Sequence, residues 1–316
     1  MTKKPPLISL ITPCYNGETH LLPYINGLLS QTYCNVEYIF VNDGSTDKTE
    51  EIILSYQKRF EDKGWTFKYI KKENGGIASS INQGLKIFKG DYLSWFDSDD
   101  IMFPTFFEEL VDFMEKNPDC GIVFPLVEHI DEITGKRLEI KGIKHNKQFD
   151  PLENEILWGE ECPMPTFGLA RSSMFLALNP SRHIYDEQKS GQNAAMLYPL
   201  FNKYKVGYIQ KILAQYVVRA NSDCHSPVDI DKKRLNWELN EIYVVQNLDL
   251  PEYKKNFYLN EIQRRYSDAR KKELYSEYPP LVYKMYVFGL PLFSIIKKEH
   301  KFVIKFFGIT VMRIKK

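Results

Sequence analysis

The chain has 316 residues and a net charge of +1, with 43% hydrophobic, 26% charged and 14% aromatic residues. That is globular composition, long enough for one large α/β domain with extensions or for two domains. The neutral balance gives no electrostatic reason to expect nucleic acid as a partner, and five widely spaced cysteines without a Cys-x-x-Cys pair argue against a zinc site or a disulfide framework.

In chain order, Leu7–Thr12 reads as a buried strand, and Leu21, Leu22, Ile25, Leu28 and Leu29 then recur at helical spacing. Val36–Val41 is a second strand, and Asp47 caps a helix carrying Ile52, Ile53 and Tyr56. Thr66–Ile70 is a third strand; Asn74-Gly75-Gly76 follows, then a helix over Ile77–Phe88. Asp91–Phe96 is a fourth strand that runs into Asp97-Ser98-Asp99-Asp100. Strands alternating with helices at this spacing predict a mostly parallel sheet flanked by helices on both faces.

A helix from Pro104 to about Lys116 and a strand over Gly121–Val127 continue the rhythm. Residues 128–161 break it, with a hairpin expected at Thr134-Gly135. Helices over Arg171–Leu178 and Gly191–Tyr204 and a strand pair, Val206–Ile209 with Ile212–Arg219, follow. We expect one domain over 1–228, regular through about 127 and less regular over 128–228, and a helical, basic and apolar extension over 229–316.

The extension repeats itself: Phe288–Lys298 is echoed by Phe307–Lys316, and lysines and Arg313 mix there with apolar residues. Such a segment suits the interface of an anionic membrane, so peripheral contact through 286–316 is expected; a packed strand pair or helix with a solvated basic face is the alternative. The short basic start has no apolar leader core, and no apolar run approaches the about 20 residues of a spanning helix. The expected location is cytoplasmic, at the inner face of the cell membrane.

Open parallel sheets bind ligands beyond the carboxyl ends of their strands. Four loops should meet there. Pro13-Cys14-Tyr15-Asn16-Gly17 offers backbone and a Tyr ring to a flat base. In the second loop Asp43 is placed to accept a hydrogen bond from a base N–H, with Gly44 allowing close approach. The third puts Gly75 and Gly76 before a helix N-terminus, where amides favour phosphate. In the fourth, Asp97 and Asp99 share one rim; such oxygen donors suit Mg²⁺ or Mn²⁺ bridged to a diphosphate, where the metal neutralises charge on a leaving group. Helix capping by Asp99 and Asp100 is the plainer alternative.

Taken together, Ile-Thr-Pro-Cys-Tyr-Asn (11–16), Val-Asn-Asp-Gly-Ser-Thr-Asp (41–47), Glu-Asn-Gly-Gly-Ile-Ala (73–78), Asn82-Gln-Gly84 and Gly90–Asp100 resemble, in order and spacing, a family 2 glycosyltransferase with the GT-A nucleotide-sugar-binding fold. The resemblance implies a nucleotide-sugar donor, a glycan or lipid-linked glycan acceptor, inversion at the anomeric carbon and a role in bacterial surface-polysaccharide synthesis. It makes 1–127 the nucleotide half and 128–228 the acceptor half. It puts Pro13, Tyr15 and Asp43 around the base and ribose, Asp97 at ribose or metal, Asp99 as principal metal ligand and His225 as a further metal or diphosphate ligand.

Two positions depart from that pattern. Ile81 stands where many relatives carry an arginine, and Gln192-Asn193 stands where the inverting relatives carry an acidic pair that supplies the general base. An amide takes no proton from a hydroxyl at neutral pH. Three readings compete. The base comes from Asp186, Glu187, Glu160 or Glu161; or metal and orientation suffice with a weaker base; or the chain binds donor without turnover, as a partner subunit. Gln192 and Asn193 then orient acceptor hydroxyls, and Trp158 is either a sugar-stacking platform or a packing residue. A nucleotidyltransferase is the third function class; it would want a basic Gly-rich loop near the N-terminus, which this chain lacks.

Overall fold

The computed structural model describes residues 4–143, 150–157, 164–188, 191–219, 230–277, 281–287, 290–298, 301–306 and 309–315. The chain divides into two compact units, Met1–Gln263 and Arg264–Lys316.

The first unit begins with β1 (Ile8–Cys14), α1 (Leu21–Leu29), β2 (Val36–Asn42), α2 (Thr49–Ser55), α3 (Gln57–Asp62), β3 (Thr66–Lys71), α4 (Ile77–Ile87) and β4 (Tyr92–Trp95). β1 pairs in parallel with β2 on one side and β4 on the other, and β2 pairs in parallel with β3. Every residue of β1, β2 and β4 is buried, as expected of strands covered on both faces. Ile8 and Leu10 pack with Leu21, Tyr24, Ile25 and Leu28 of α1 in one cluster. Ile11, pointing the other way, meets α4 at Gly84, where an added Cβ would lie 2.6 Å from the Ile11 side chain.

Next come β5 (Ile101–Met102), α5 (Phe106–Lys116), β6 (Cys120–Asp131), β7 (Arg137–Lys141), α6 (Pro151–Ile156), β8 (Leu169–Arg171), α7 (Ser172–Leu178), α8 (Gln192–Lys203) and β9 (Lys205–Val218). β8 is inserted antiparallel between β4 and β6, β6 pairs in parallel with β9, and β5 closes the far edge, giving the order β3-β2-β1-β4-β8-β6-β9-β5 with β7 on β6. The hairpin at Thr134-Gly135 forms: Asp131 accepts from the Thr134 amide and hydroxyl, and Gly135 has φ +64°. The expected strand pair over 206–219 is instead one long strand, β9. Its register against β6 slips near Leu126, which lets it bend without breaking.

α9 (Ile230–Asn247) follows, then α10 (Glu252–Glu277), which runs across the division between the units. The first unit reaches Gln263. The reason is packing: Gly191, at φ +81°, leaves no room for a Cβ against Asn240 of α9, and Asn202 of α8 donates to the Asp249 carbonyl at 3.2 Å. In the second unit β10 (Leu281–Val287), β11 (Leu290–Lys298), β12 (Lys301–Phe306) and β13 (Ile309–Lys315) form an antiparallel sheet in that order. The sequence repeat thus marks two hairpins, Val287 pairing Leu290 in one and Phe306 pairing Ile309 in the other. No helix among the described residues is long and apolar enough to cross a membrane.

The Asn82-Gln83-Gly84 signature has a physical reason. Asn82, 1% exposed, donates to the Ile184 carbonyl at 2.9 Å and accepts from its amide at 2.8 Å, tying α4 to the chain segment that precedes α8. Gly84 sets the distance between α4 and β1. Gly84→Ala should destabilise the protein by about 1–3 kcal/mol through overpacking, read as a lower urea midpoint at unchanged m-value.

Candidate functional site

The four expected loops do meet at the carboxyl ends of β1, β2, β3 and β4, and side chains staple them together. In the β1–α1 loop, Asn16 takes φ +51°, donates its amide to Ser45 Oγ at 3.0 Å and accepts from the Thr46 amide at 2.9 Å. Asp47 accepts from the Thr49 amide at 3.0 Å and from the Glu18 amide at 2.9 Å; the N-cap of α2 is Lys48, so Asp47 sits one residue ahead of the expected cap and ties the β1–α1 loop to the head of the helix. The backbone of Pro13 pairs with Val41, and Tyr15 is 51% exposed, a free ring at the rim.

Asp43 is 4% exposed at the end of β2. Its Oδ1 accepts from Lys72 Nζ at 2.5 Å and the Gly75 amide at 3.0 Å, and its Oδ2 from the Gly76 amide at 2.8 Å. The amides of Gly75 and Gly76, expected to face a phosphate, thus serve Asp43. Gly76 holds φ +87° at the head of α4 in doing so. A carboxylate has about four lone-pair sites, so three donors leave room for one more, as a base N–H requires. Ile81, at the position of the expected arginine, is buried in the core and supplies no donor.

β4 delivers the acidic loop. One ligand oxygen each from Asp97, Asp99 and Asp100 lies within 4.8 Å of the others. Asp100 is 1% exposed; its Oδ1 accepts from the Val217 amide of β9 at 3.0 Å, and its Oδ2 is buried with no partner. It caps no helix. Burial pushes the Asp97 carboxyl up to about 6, against a hydrogen bond from Thr166 and the positive charge of Arg219. Burial, then the charge of Asp97, raises Asp100 well above the usual carboxylate range, opposed by the Val217 amide. Arg219 forms an ion pair with Asp99 through Nη2. A compact set of oxygen donors, one of them buried and unanswered, fits a hard divalent cation such as Mg²⁺ or Mn²⁺.

The acceptor-side expectations divide. Gln192 and Asn193 open α8; Gln192 is 8% exposed and Asn193 Oδ1 is buried without a partner. Asp186 accepts from Asn82 Nδ2 at 3.0 Å and lies 3.6 Å from His183, at the α4 junction. Glu187, exposed, lies 3.2 Å from the Tyr185 hydroxyl. Both carboxylates line a flank cavity with His183, Tyr185, Tyr243 and Asn247, a lining that includes no residue of the acidic loop. Trp158, Glu160, Glu161 and His225 lie outside the described residues.

Comparison with known proteins identifies the fold and the loops together. The model of glycosyl transferase family 2 matches residues 9–178. The chain belongs to that family. An uncharacterized glycosyltransferase of Rickettsia typhi is 44% identical over 192 residues, covering 57% of this chain and 57% of that protein. The minor teichoic acid biosynthesis protein GgaB of Bacillus subtilis is 29% identical over 235 residues, 72% of this chain and 25% of GgaB. The chain thus spans less than two thirds of the length of these relatives. Among solved structures, residues 1–349 of S. aureus TarS superpose with a TM-score of 0.64 at 18% identity, over 87% of this chain and 76% of that one. TarS has also been crystallised with UDP and with UDP-GlcNAc. These structures share the GT-A fold with this family 2 chain.

Sequence reasoning missed Arg219, Thr166 and the Val217 amide, each brought to the acidic loop from more than 60 residues away. Only Arg219 left a trace, as a lone cation ending an apolar strand shortly before His225 in the sequence. For Asp97 the direction of pH dependence follows from its raised value. The folded protein prefers the protonated acid, so that contribution is present below the ordinary value of 3.8 and is lost as pH rises through about 6. Without ligands, the wild-type melting temperature should fall across that window relative to Asp97→Asn, compared by calorimetry at matched ionic strength.

Proposed function

We propose that the protein transfers a sugar from a nucleoside diphosphate donor, a UDP-sugar, to a hydroxyl of a glycan or lipid-linked glycan in bacterial surface-polysaccharide synthesis, with inversion at the anomeric carbon. The observation that carries this reading is the oxygen cluster of Asp97, Asp99 and Asp100 at the mouth of the stapled loops. The UDP complexes of TarS support the donor class, and GgaB, named for teichoic acid synthesis, supports the polymer class.

In this reading the exposed ring of Tyr15 stacks on the base, and Asp43 accepts a base N–H with its remaining lone pair. Asp99 and Asp97 hold Mn²⁺ or Mg²⁺, joined by His225. The cation, when bound, supplies Lewis-acid neutralisation of the departing diphosphate. Gln192 and Asn193 orient the acceptor hydroxyl by hydrogen bonds. Asp99→Asn should lower transfer or donor hydrolysis with UDP-sugars and Mn²⁺ by roughly 100-fold or more, a few kcal/mol of barrier. Full activity in that variant would sink the metal assignment.

One observation favours a second reading. The first turn of α8 carries no acid, and its buried Asn193 Oδ1 can accept a hydrogen bond but takes no proton at neutral pH. A subunit that holds the donor without turning it over fits that arrangement. Calorimetric binding of UDP-sugar together with absence of both transfer and hydrolysis, across lipid-linked and free glycan acceptors, would select it.

We also propose that the terminal sheet, whose strands β10 to β13 carry most of the basic and apolar tail, makes peripheral contact with anionic membrane at the cytoplasmic face. Removal of residues 281–316 should abolish co-flotation with phosphatidylglycerol vesicles. Equal flotation with and without that segment would remove the membrane contact.

A further inference from the structure

The described part of the acidic site contains one cation, and it stands on the carboxylate expected to hold the metal. Arg219 follows the last residue of β9 and pairs with Asp99 through Nη2, its side chain only 12% exposed. Its other terminal nitrogen, Nη1, is buried with no hydrogen-bond partner. A buried guanidinium N–H without an acceptor is costly, and the fork of an arginine is shaped for two oxygens side by side. The side chain is therefore half satisfied: one edge on Asp99, the other open.

The strand that carries it is pinned at the same place. Val218 pairs with Asp131 across the β6–β9 ladder, and the Val217 amide holds Asp100. The guanidinium also lies close enough to His20, at the head of α1, to help depress that imidazole together with burial, against the opposing charge of Asp47. Arg219 is thus held between the β1–α1 loop, which carries Tyr15, and the acidic loop. On the donor reading above, a diphosphate joining a base at the first to a cation at the second would pass through that interval. Asp99 and Asp97 are the anions facing Arg219, and His20 is its titratable neighbour.

We propose that Arg219 is a positioning residue that makes loading of the divalent cation conditional on the diphosphate. This inference rests on the donor and metal reading above. Without nucleotide, Arg219 occupies Asp99, and a divalent ion arriving alone meets both a competitor and a like charge. When the diphosphate arrives with the ion, its oxygens separate the two positive centres and accept from the open Nη1 edge, which compensates for release of Asp99. Metal and nucleotide then strengthen one another's binding through Arg219, and by linkage the effect is reciprocal.

Calorimetric titration of the full chain with Mn²⁺ alone, UDP alone and Mn²⁺ at saturating UDP tests this, after correction for Mn²⁺·UDP formed free in solution. Wild type should bind Mn²⁺ at least about fivefold more tightly with UDP than without, the lower end of ordinary coupling between sites. Arg219→Met should bind Mn²⁺ alone at least about fivefold more tightly than wild type, and its coupling to UDP should shrink accordingly. Arg219→Lys, which keeps the charge and loses the fork, should still oppose Mn²⁺ alone while binding UDP more weakly. Unchanged or weaker Mn²⁺ binding in Arg219→Met, with coupling intact, overturns the proposal. If circular dichroism shows that Arg219→Met does not fold, the wild-type coupling and Arg219→Lys decide, and a wild type without coupling overturns it. Binding of neither UDP nor Mn²⁺ to wild type would instead defeat the donor reading on which it stands.

Discussion

Three carboxylates held within 4.8 Å of one another at the edge of a buried sheet repel strongly, and the surrounding structure answers that repulsion. Thr166 donates to Asp97, the Val217 amide donates to Asp100, and Arg219 pairs with Asp99. Each answer comes from the less regular half of the domain. The acidic loop is therefore the seam along which the two halves are joined, and the insertion of β8 between β4 and β6 brings Thr166 there. A site of this kind sacrifices stability for a concentrated field, since burial pushes protons onto Asp97 and, with the charge of Asp97, onto Asp100.

The opposite end of the loop cluster is built on the reverse principle. Asp43 is deeply buried, yet it is surrounded by donors: Lys72 and the amides of Gly75 and Gly76. One acid is thus engaged by three donors as a brace, while Asp100 leaves a buried oxygen without a partner. The difference lies in which backbone amides reach each carboxylate, and Gly44 and Gly76, both in the left-handed region, are what let the β2 and β3 loops approach so closely.

Much of this was legible in the sequence for a definite reason. Strands β1 to β4 are short and separated by amphipathic helices, and all but the edge strand β3 are wholly buried, so periodicity identifies each one, and their loops follow from the topology of any open parallel sheet. The roles of Tyr15 and Asp43 as rim and strand-end residues could be read in the same way. What escaped is non-local. The bend that keeps β9 continuous depends on its register with β6, and the engagement of Asp186 by Asn82 spans 104 residues. Sequence proximity to α8 singled out Asp186 and Glu187 as base candidates; that the segment 182–187 is tied to α4 and lines the flank cavity was not legible there. The C-terminal repeat was visible as a repeat; that it encodes hairpins depends on cross-strand pairing that no local pattern reports.

The Asn82–Ile184 clamp has a consequence for how such chains diversify. Both the amide and the carbonyl of Ile184 are spent on one side chain of α4, at a point buried from solvent. The segment leading into α8 is thus anchored to the regular first part of the sheet even though its sequence lies about 100 residues further on. Recombination between relatives, in nature or at the bench, has a preferred crossover: breakpoints that move 182–186 together with α4 preserve the anchor. A junction placed between them, however neatly it separates donor from acceptor functions on paper, would join a helix to a partner that no longer fits it.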